Sequence, residues 1–207
     1  SAVESIVLSP AYEINPIVFA GTFGKGIFRS TDGGNTWKQV NVGISDLRIV
    51  TMDISPNFIN DSTIMASTWD GDLLVTEDQG NSWRKLELGA PLVNIQSIDF
   101  SPNFAADKII YLGTIGGGIL KTGSAGTSWQ RVDPDPNRPN TRAITLSSNF
   151  STDQTIFAGI SGSIYRSTNA GETWQEVDLG RTGIHDPVRA LQISPSFSTD
   201  GTVLAGI

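Results

Sequence analysis

Short hydrophobic segments alternate with clusters of Gly, Pro, Asn and Asp along the whole chain, and no segment keeps the 3.6-residue spacing of an amphipathic helix. The segments fall into four kinds that recur in a fixed order. The first kind alternates apolar and polar positions, so in residues 49–55 we expect Val50, Met52 and Ile54 to share one face of a strand. The second kind, such as residues 17–21, is apolar or small throughout, which predicts a strand buried on both faces.

The third and fourth kinds complete a unit of four short strands. The third is represented by residues 26–30. The fourth begins at a recurring tryptophan, as in residues 37–40, where Trp and Val are expected to point inward and Lys and Gln outward. This alternation is typical of an outer strand with one solvent-exposed face. Together the four kinds of segment predict that each unit is a four-stranded antiparallel sheet.

Two independent series of residues give the unit a fixed period. Four tryptophans recur at intervals of 46, 46 and 45 residues: Trp37, Trp83, Trp129 and Trp174. Serines that are mostly followed by proline recur at intervals of 46, 46, 46 and 47 residues: Ser9, Ser55, Ser101, Ser147 and Ser194. The period places about 4.5 units in the chain, with boundaries at 1–46, 47–92, 93–138, 139–184 and, for a partial unit, 185–207.

Units of this length and strand content predict an all-β fold, a β-propeller of four-stranded antiparallel blades that forms a single domain over residues 1–207. A β-solenoid or a β-sandwich is the alternative, but solenoid coils are shorter and sandwiches lack a strict period. Because an open ring would leave blade faces uncovered, we expect the chain to be a fragment of a longer propeller or to close the ring by self-association.

An eight-residue motif separates the third and fourth strands of each unit, with the form Ser/Thr-x-Asp-x-Gly-x-Ser/Thr-Trp. The Asp can accept hydrogen bonds from backbone N–H groups just beyond it, the Gly permits positive φ, and the Trp can pack back on the hairpin. Ser124 and Asn169 replace the Asp in the third and fourth copies, so we expect side-chain hydrogen bonds to hold those turns less firmly. We assign a structural role to Ser30, Asp32, Gly34, Trp37, Thr76, Asp78, Gly80, Trp83, Gly126, Trp129, Ser167, Asn169, Gly171 and Trp174.

The motif resembles the Asp-box, also called the bacterial neuraminidase repeat, of propellers in sialidases, xyloglucan-degrading glycosidases, sortilin-type receptors and photosystem II assembly factors. The resemblance covers the whole chain and is most specific in the first two copies. It implies a bacterial protein located outside the cytoplasm, that is secreted, periplasmic or on the cell surface. It also implies that the motif lies at the blade periphery, so Asp32 and Asp78 are structural carboxylates and not catalytic ones.

The composition excludes several classes of partner. Lys and Arg number 14 against 21 Asp and Glu, and the net charge of −7 disfavours nucleic acid and acidic membrane surfaces. The chain has no apolar run long enough to insert in a membrane. Since cysteine is absent, disulfides, thiolate metal sites and cysteine nucleophiles are excluded.

Two groups of residues are candidates for ligand binding. Trp69 lies between the second and third strands of its unit, beside Asp70 and Asp72, where an indole face could stack on a sugar ring and carboxylates could accept its hydroxyl groups. The alternative is a Trp that packs between blades beside solvated acids. Arg142 and Arg189 occupy equivalent positions before the recurring serine, and arginine captures carboxylates well, as in sialidases.

No reactive constellation emerges elsewhere, so no catalytic residue, metal site or cofactor is assigned. His185 and Asp186 are adjacent in sequence, which rarely gives a general base and its orienting acid the right geometry. The loop with Asp133, Asp135 and Asn137 could offer oxygen ligands to calcium, but it lacks the glycine and distal glutamate of a calcium loop.

The functional expectation is a non-catalytic scaffold that binds a protein or a glycan. A fragment of a sialidase-like or xyloglucanase-like glycoside hydrolase is the alternative, so whether the chain is an enzyme stays open. The scaffold hypothesis rests on the contrast between recurring residues, which are all structural, and rare residues, which form no catalytic set.

Overall fold

The structure, a computed structural model, describes residues 1–89, 94–178 and 186–207. The described residues form four four-stranded antiparallel sheets and one two-stranded sheet, each with its strands in sequence order. The first sheet consists of Val3–Leu8, Val18–Thr22, Gly26–Ser30 and Lys38–Gln39 (β1 to β4). The second consists of Ile49–Ile54, Ile64–Thr68, Leu73–Thr76 and Arg84–Leu86 (β5 to β8).

The later sheets repeat this order. The third consists of Asn94–Phe100, Ile110–Ile115, Gly118–Thr122 and Gln130–Arg131 (β9 to β12). The fourth consists of Thr141–Leu146, Ile156–Ile160, Ser163–Ser167 and Gln175–Val177 (β13 to β16). The fifth consists of Ala190–Ile193 and Val203–Gly206 (β17 and β18). The chain divides into two compact units, residues 1–98 and 99–207, and the division falls inside β9.

The second strand of each complete sheet forms the centre of the core, as the sequence predicts. Every residue of β2, β6 and β14 is buried, and only the last residue of β10 is partly exposed. In the first unit, Phe19 and Ile64 pack in one cluster with Met52 and Trp83. Apolar runs without alternation thus correspond to strands of sheets that are covered on both faces.

The first strands of the first, second and fourth sheets each depart at one position from the alternation that the sequence predicts. The pairing of β5 with β6 shifts between Ile49 and Thr51, and β1 and β13 have shifts at the same place. An extra residue at a bulge reverses the side-chain order beyond it. Ile49 and Met52 are therefore both buried, and Ile54 packs against the same cluster as Met52, as expected. Val50, which lies at the bulge, is only partly buried and is the residue whose predicted position was wrong.

The structure contains single-turn helices that the sequence pattern did not predict. They follow the recurring serine in the last four units: Phe58–Asp61, Phe104–Asp107, Phe150–Asp153 and Phe197–Asp200 (α1 to α4). A four-residue helix is too short to show a 3.6-residue period, so the pattern of apolar positions gives no sign of it. The same length is far too short for any of these helices to cross a membrane.

Each turn of helix is closed by a serine and an aspartate three residues on either side of its phenylalanine. Ser55 Oγ donates to Asp61 Oδ2 at 2.6 Å, and Asp61 Oδ1 accepts the N–H of Thr63 at 2.9 Å. Phe58 is completely buried. The serine series therefore marks a closed helical turn, and the full motif is Ser-x-x-Phe-x-x-Asp.

Candidate functional site

The Asp-box turn of the second sheet is tied by its own side chains. Asp78 Oδ1 accepts the N–H of Ser82 at 2.9 Å and the hydroxyl of Thr76 at 2.7 Å. Asp78 Oδ2 accepts the Ser82 hydroxyl at 2.6 Å. Thr76 Oγ1 accepts in turn the N–H of Gly80 at 2.9 Å. All these bonds close within eight residues, so the carboxylate holds the turn and is not directed at a ligand.

The first turn has the same arrangement, and the hydrogen bonds change the acidity of its carboxylate. Asp32 accepts the hydroxyl and the N–H of Thr36 at 2.6 and 2.9 Å and the hydroxyl of Ser30 at 2.7 Å. Bonds from Thr36 and Ser30 favour the charged form and lower the pKa of Asp32 to about 2. The pKa of Asp78 is lowered for the same reason, chiefly by Ser82.

The third and fourth turns show what happens when the aspartate is replaced. In the third, Ser124 Oγ lies 3.2 Å from the N–H of Ser128 and 3.0 Å from its hydroxyl, so the bonds are longer. In the fourth, Asn169 Oδ1 accepts the N–H of Thr173 at 2.9 Å. The expectation of a looser turn therefore holds for the serine copy, whereas the asparagine copy keeps the aspartate's backbone bond.

The motif tryptophans do not all point inward as the sequence pattern suggested, and the fourth strands begin one residue after them. Trp83 is buried, whereas Trp37 is 42% exposed. Trp83 Nε1 donates to Val40 O in the preceding sheet at 2.9 Å, and Trp174 Nε1 donates to Val132 O at 2.6 Å. Trp37 Nε1 bonds only within its turn, to Gly34 O at 3.0 Å. The indoles of Trp83 and Trp174 therefore link neighbouring sheets, which sequence reasoning missed.

An aromatic pair lies on the surface of the first unit where two turns between second and third strands approach each other. The rings of Phe23 and Trp69 are 5.6 Å apart and nearly perpendicular. Trp69 is 51% exposed and Phe23 is 39% exposed. The backbone places them there, since the Trp69 N–H donates to Arg48 O at 2.8 Å and Phe23 pairs with Arg48 in an isolated bridge.

Arg48 joins two carboxylates beside these rings. Its Nε donates to Asp46 Oδ1 at 2.8 Å, and its Nη2 donates to Asp46 Oδ2 at 3.1 Å and to Asp70 Oδ1 at 2.6 Å. Partial burial acts to raise the pKa of Asp46, but bonds from Arg48 and the backbone hold it below its ordinary value. Asp70 remains 63% exposed at the side chain. We call Phe23, Arg48, Trp69 and Asp70 the Trp69 surface.

The other candidate carboxylate of this region is turned away from solvent. Asp72 is only 14% exposed at the side chain and binds Lys85 Nζ at 2.7 Å. Its N–H also donates to Thr68 Oγ1 at 3.2 Å. Both carboxylates are in ion pairs, but the Asp70 side chain is largely exposed beside Trp69 and the Asp72 side chain is not. Sequence reasoning singled out Asp70 but not Asp46, although the Asp-x-Arg spacing of residues 46 and 48 was a usable signal.

The arginine candidates belong to the second unit. Arg142 lies in β13, is partly buried, and lines a small cavity of about 210 Å³ with Asn140 and Ser161. Arg189 is exposed, and its N–H donates to Gly206 O at 2.8 Å. A third arginine, Arg48, precedes the first strand of the second sheet, and its guanidinium is held by Asp46 and Asp70.

The remaining sequence candidates give no site. His185 lies outside the described residues, while Asp186 within them is exposed. Asp133 is bound by the guanidinium of Arg131, and Asp135 Oδ1 accepts the N–H of Asn137 at 2.8 Å, so the loop is tied internally. Within residues 1–89, 94–178 and 186–207, no group of three His, Cys, Asp or Glu side chains could hold a metal ion.

Four-stranded antiparallel sheets that repeat along the described chain, each with the motif turn between its third and fourth strands, define the fold: it is a β-propeller with Asp-box turns, similar to the propellers of sialidases and sortilin-type receptors. A model of the family described as sortilin, neurotensin receptor 3 (Sortilin-Vps10) matches residues 25–122. No curated protein matches the chain in sequence. The prediction of the fold is confirmed.

Solved structures show the same fold at low sequence identity. An ancestral GH74 enzyme has a TM-score of 0.75 and 22% identity, and the match covers 94% of this chain and 28% of that one. The extracellular domain of a protein described as a one component system from B. thetaiotaomicron has a TM-score of 0.72 and 16% identity, with 100% and 25% covered. YCF48 bound to D1 peptide has a TM-score of 0.63 and 15% identity, with 87% and 56% covered.

This chain spans about a quarter of the first two of these structures and just over half of the third. At such identities the likeness concerns the fold and not the chemistry of a site.

Proposed function

We propose that this chain is a non-catalytic Asp-box propeller that acts as a glycan-binding scaffold outside the cytoplasm, with the Trp69 surface as its ligand site. The observation that carries the proposal is the exposure of Trp69, at 51%, beside Phe23 and an open carboxylate. Large exposed aromatic side chains grouped with polar residues are typical of ligand surfaces.

The chemistry of the Trp69 surface suits a sugar ring. An indole presents a flat apolar face, and the perpendicular ring of Phe23 supports one of its sides. Asp70 is held by Arg48, yet its exposed oxygens can accept hydroxyl hydrogen bonds. Since Arg48 is fixed by Asp46 before a ligand arrives, little side-chain freedom would be lost on binding.

The carboxylates of this region argue against catalysis. Asp46 is bound by Arg48, and Asp72 is bound by Lys85, so neither is free to act as a general acid or base. Asp32 and Asp78 hold their turns. A catalytic pair of carboxylates on opposite sides of a glycosidic bond is therefore not assigned.

The glycan proposal is tested by affinity electrophoresis of the purified chain in gels that contain xyloglucan, other β-glucans or sialylated glycoprotein. We expect at least one gel to retard the chain, and Trp69→Ala to weaken retention about tenfold through loss of the stacking face. Trp37→Ala is the matched control, because it removes another exposed tryptophan outside the Trp69 surface. Equal retention of both variants, or retention of neither variant nor wild type, would reject the proposal.

A protein-binding scaffold is the second candidate, favoured by the structural likeness to YCF48 bound to D1 peptide. Selection of displayed peptides against the wild-type chain, with removal of peptides that also bind Trp69→Ala, separates the two ligands. Specific peptides without any glycan retention would favour this candidate.

The hydrolase alternative is supported by the likeness to an ancestral GH74 enzyme. Release of reducing sugar from xyloglucan, or of sialic acid from a sialoside, would reject the non-catalytic proposal. If sialoside hydrolysis occurs, we expect Arg142→Ala or Arg189→Ala to abolish it, because a sialidase-like site would need arginine on the substrate carboxylate.

The location outside the cytoplasm is supported by the likeness to an extracellular domain. It is tested by fractionating cells that express the native gene and detecting the product with an antibody. Recovery from the cytoplasmic fraction alone would reject this part of the proposal.

A further inference from the structure

The Trp69 surface of the first unit contains a carboxylate that is fixed in position and still accessible to a ligand. Asp70 Oδ1 accepts a hydrogen bond from Arg48 Nη2 at 2.6 Å, and the Asp70 N–H donates to Asp46 Oδ2 at 3.1 Å. The Asp70 side chain is nevertheless largely exposed. Within the described residues no hydrogen bond reaches its second oxygen, Oδ2. The surface therefore offers an acceptor whose position is set before a ligand arrives.

The guanidinium of this surface is already bound to carboxylates. Arg48 Nε donates to Asp46 Oδ1 at 2.8 Å, and Arg48 Nη2 donates to an oxygen of Asp46 and to one of Asp70. Strong capture of a ligand carboxylate by arginine uses two parallel N–H groups directed at the ligand. Because Arg48 directs such a pair at Asp46, the Trp69 surface is poorly suited to an acidic sugar such as a sialic or uronic acid.

The ion pairs at this surface leave a net negative charge. Arg48 is shared between two carboxylates, those of Asp46 and Asp70, so one negative charge is not balanced. The neighbouring Asp72 is balanced by a lysine at 2.7 Å. Lys25, in the same turn as Phe23, opposes this charge, but it is exposed and forms no ion pair with another described residue. Solvent and salt screen such an exposed charge.

The aromatic rings of the Trp69 surface are not covered by a cation of the chain. Within the described residues, every contact between a cationic side chain and an aromatic ring lies in the second unit. Phe23 and Trp69 take part in none of them, although Arg48 lies beside them, because Asp46 and Asp70 hold its guanidinium. Indole attracts cations more strongly than the other aromatic side chains do. An exposed indole next to a carboxylate therefore favours a ligand that carries positive charge.

We propose that the Trp69 surface selects glycans that carry free amino groups, such as oligomers of glucosamine, over neutral and acidic glycans. This inference rests on the proposed glycan-binding function and specifies the class of sugar. The sugar ring would lie on the indole of Trp69, and its ammonium group would donate to Asp70 Oδ2. A hydroxyl group at the same place could make the hydrogen bond but would lack the attraction between opposite charges.

The selectivity is tested by isothermal titration calorimetry at pH 5, where the sugar amines are protonated. The two ligands are the β-1,4-linked tetramer of glucosamine and cellotetraose, which differ only in an amino or a hydroxyl group on each sugar. We expect the glucosamine tetramer to bind about tenfold more tightly. Trp69→Ala should weaken the binding of both ligands, since either sugar ring needs the stacking face.

Asp70→Asn tests the role of the carboxylate, because it removes the charge and keeps the shape of the side chain. We expect this variant to lower the ratio of the two affinities at least threefold. Glu13→Gln is the matched control. It removes one negative charge from an exposed residue in the loop between β1 and β2, at the opposite end of the first sheet from Phe23. If both variants lower the ratio equally, the net charge of the chain accounts for the preference and the proposal is wrong.

The remaining outcomes separate the amino-sugar inference from the glycan-binding function on which it rests. Equal affinity for the two tetrasaccharides, with both weakened by Trp69→Ala, would overturn the amino-sugar inference and leave glycan binding in place. Binding of neither tetrasaccharide would reject both. Tetralysine serves as a cationic ligand without a sugar ring, and we expect it to bind more weakly than the glucosamine tetramer. Equal binding of these two would overturn the inference, since positive charge alone would then be sufficient.

Discussion

The second and third Asp-box turns have the same backbone but different central side chains, Asp78 and Ser124. In both turns two successive residues have positive φ, at 61° and 81° in the second and 53° and 90° in the third. The bond to the following backbone N–H lengthens from 2.9 Å with Asp78 to 3.2 Å with Ser124. The path of the backbone is thus the same with either residue, and the carboxylate shortens the hydrogen bond that holds the turn.

We expect the largest effect on stability from removing the carboxylate of the second turn. Asp78→Ala leaves the Ser82 N–H and the hydroxyls of Thr76 and Ser82 without their acceptor. We expect a loss of about 1 to 2 kcal/mol in the free energy of unfolding, the usual value for hydrogen bonds to an exposed charged group. Urea unfolding measures it.

Ser124→Ala in the third turn is the control for that variant, since it removes only a hydroxyl. It should cost less than half as much. If both variants lose the same free energy, the carboxylate adds nothing beyond a neutral acceptor.

The difference between the two turns should disappear when an aspartate is introduced at position 124 of the third turn. Ser124→Asp supplies two acceptor oxygens to Ser128 and Thr122, as Asp78 does for Ser82 and Thr76. We expect stabilisation of about 1 kcal/mol, measured by thermal unfolding. Ser124→Asn should give a smaller gain, because Asn169 already keeps the backbone bond in the fourth turn. A loss of stability in the Asp variant would contradict the comparison.

A smaller effect is expected from the residue that follows, which has positive φ in each turn. Ala125 has φ of 53°, a conformation that costs a non-glycine residue energy. We expect Ala125→Gly to raise the free energy of unfolding by about 0.5 kcal/mol, with the gain reduced by the greater freedom of glycine in the unfolded chain. Ala106→Gly, in the ordinary conformation of α2, is the control and should destabilise.

The smallest expected difference between the two turns is in how their contributions to stability depend on pH. Because the pKa of Asp78 is lowered in the folded state, its carboxylate stabilises the fold above the unfolded pKa of about 4, and that contribution is lost as pH falls through the folded value. The advantage of wild type over Asp78→Asn in urea unfolding should therefore shrink between pH 5 and pH 2. Neither Ser124 nor the alanine that replaces it titrates between pH 5 and pH 2. The change in the free energy of unfolding caused by Ser124→Ala should therefore stay constant over that range.

Most features of the repeating unit were predicted from the sequence. Trp37, Trp83, Trp129 and Trp174 mark the period, and strands such as β2 and β6 were predicted because short apolar runs between turn residues are typical of buried strands. The helix at Phe58 was not predicted, since one turn leaves no periodic pattern. Within β5 the predicted face holds for Met52 and Ile54 and fails for Val50, because a bulge between Ile49 and Thr51 adds one residue to the pairing.

The candidate site was predicted only in part. Trp69 and Asp70 were predicted from one loop. Phe23, which contacts the Trp69 ring, and Arg48, which binds Asp70, lie 46 and 21 residues before Trp69. Only the approach of two turns at one edge of the first unit brings these side chains together. The same limit applies to Arg142 and Arg189, whose use as ligand residues stays a prediction.

By itself the sequence determined the unit of this protein: four strands, an Asp-box turn whose bonds close within eight residues, and a period set by tryptophan and serine. These features are local, so the information that specifies them lies within a short stretch of chain. Only the tertiary structure decided that the Trp83 indole links one sheet to the next, that Arg48 bridges Asp46 and Asp70, and that the Asp70 side chain is exposed whereas that of Asp72 is not. Those contacts join residues that are distant in sequence, and their positions depend on how the sheets pack.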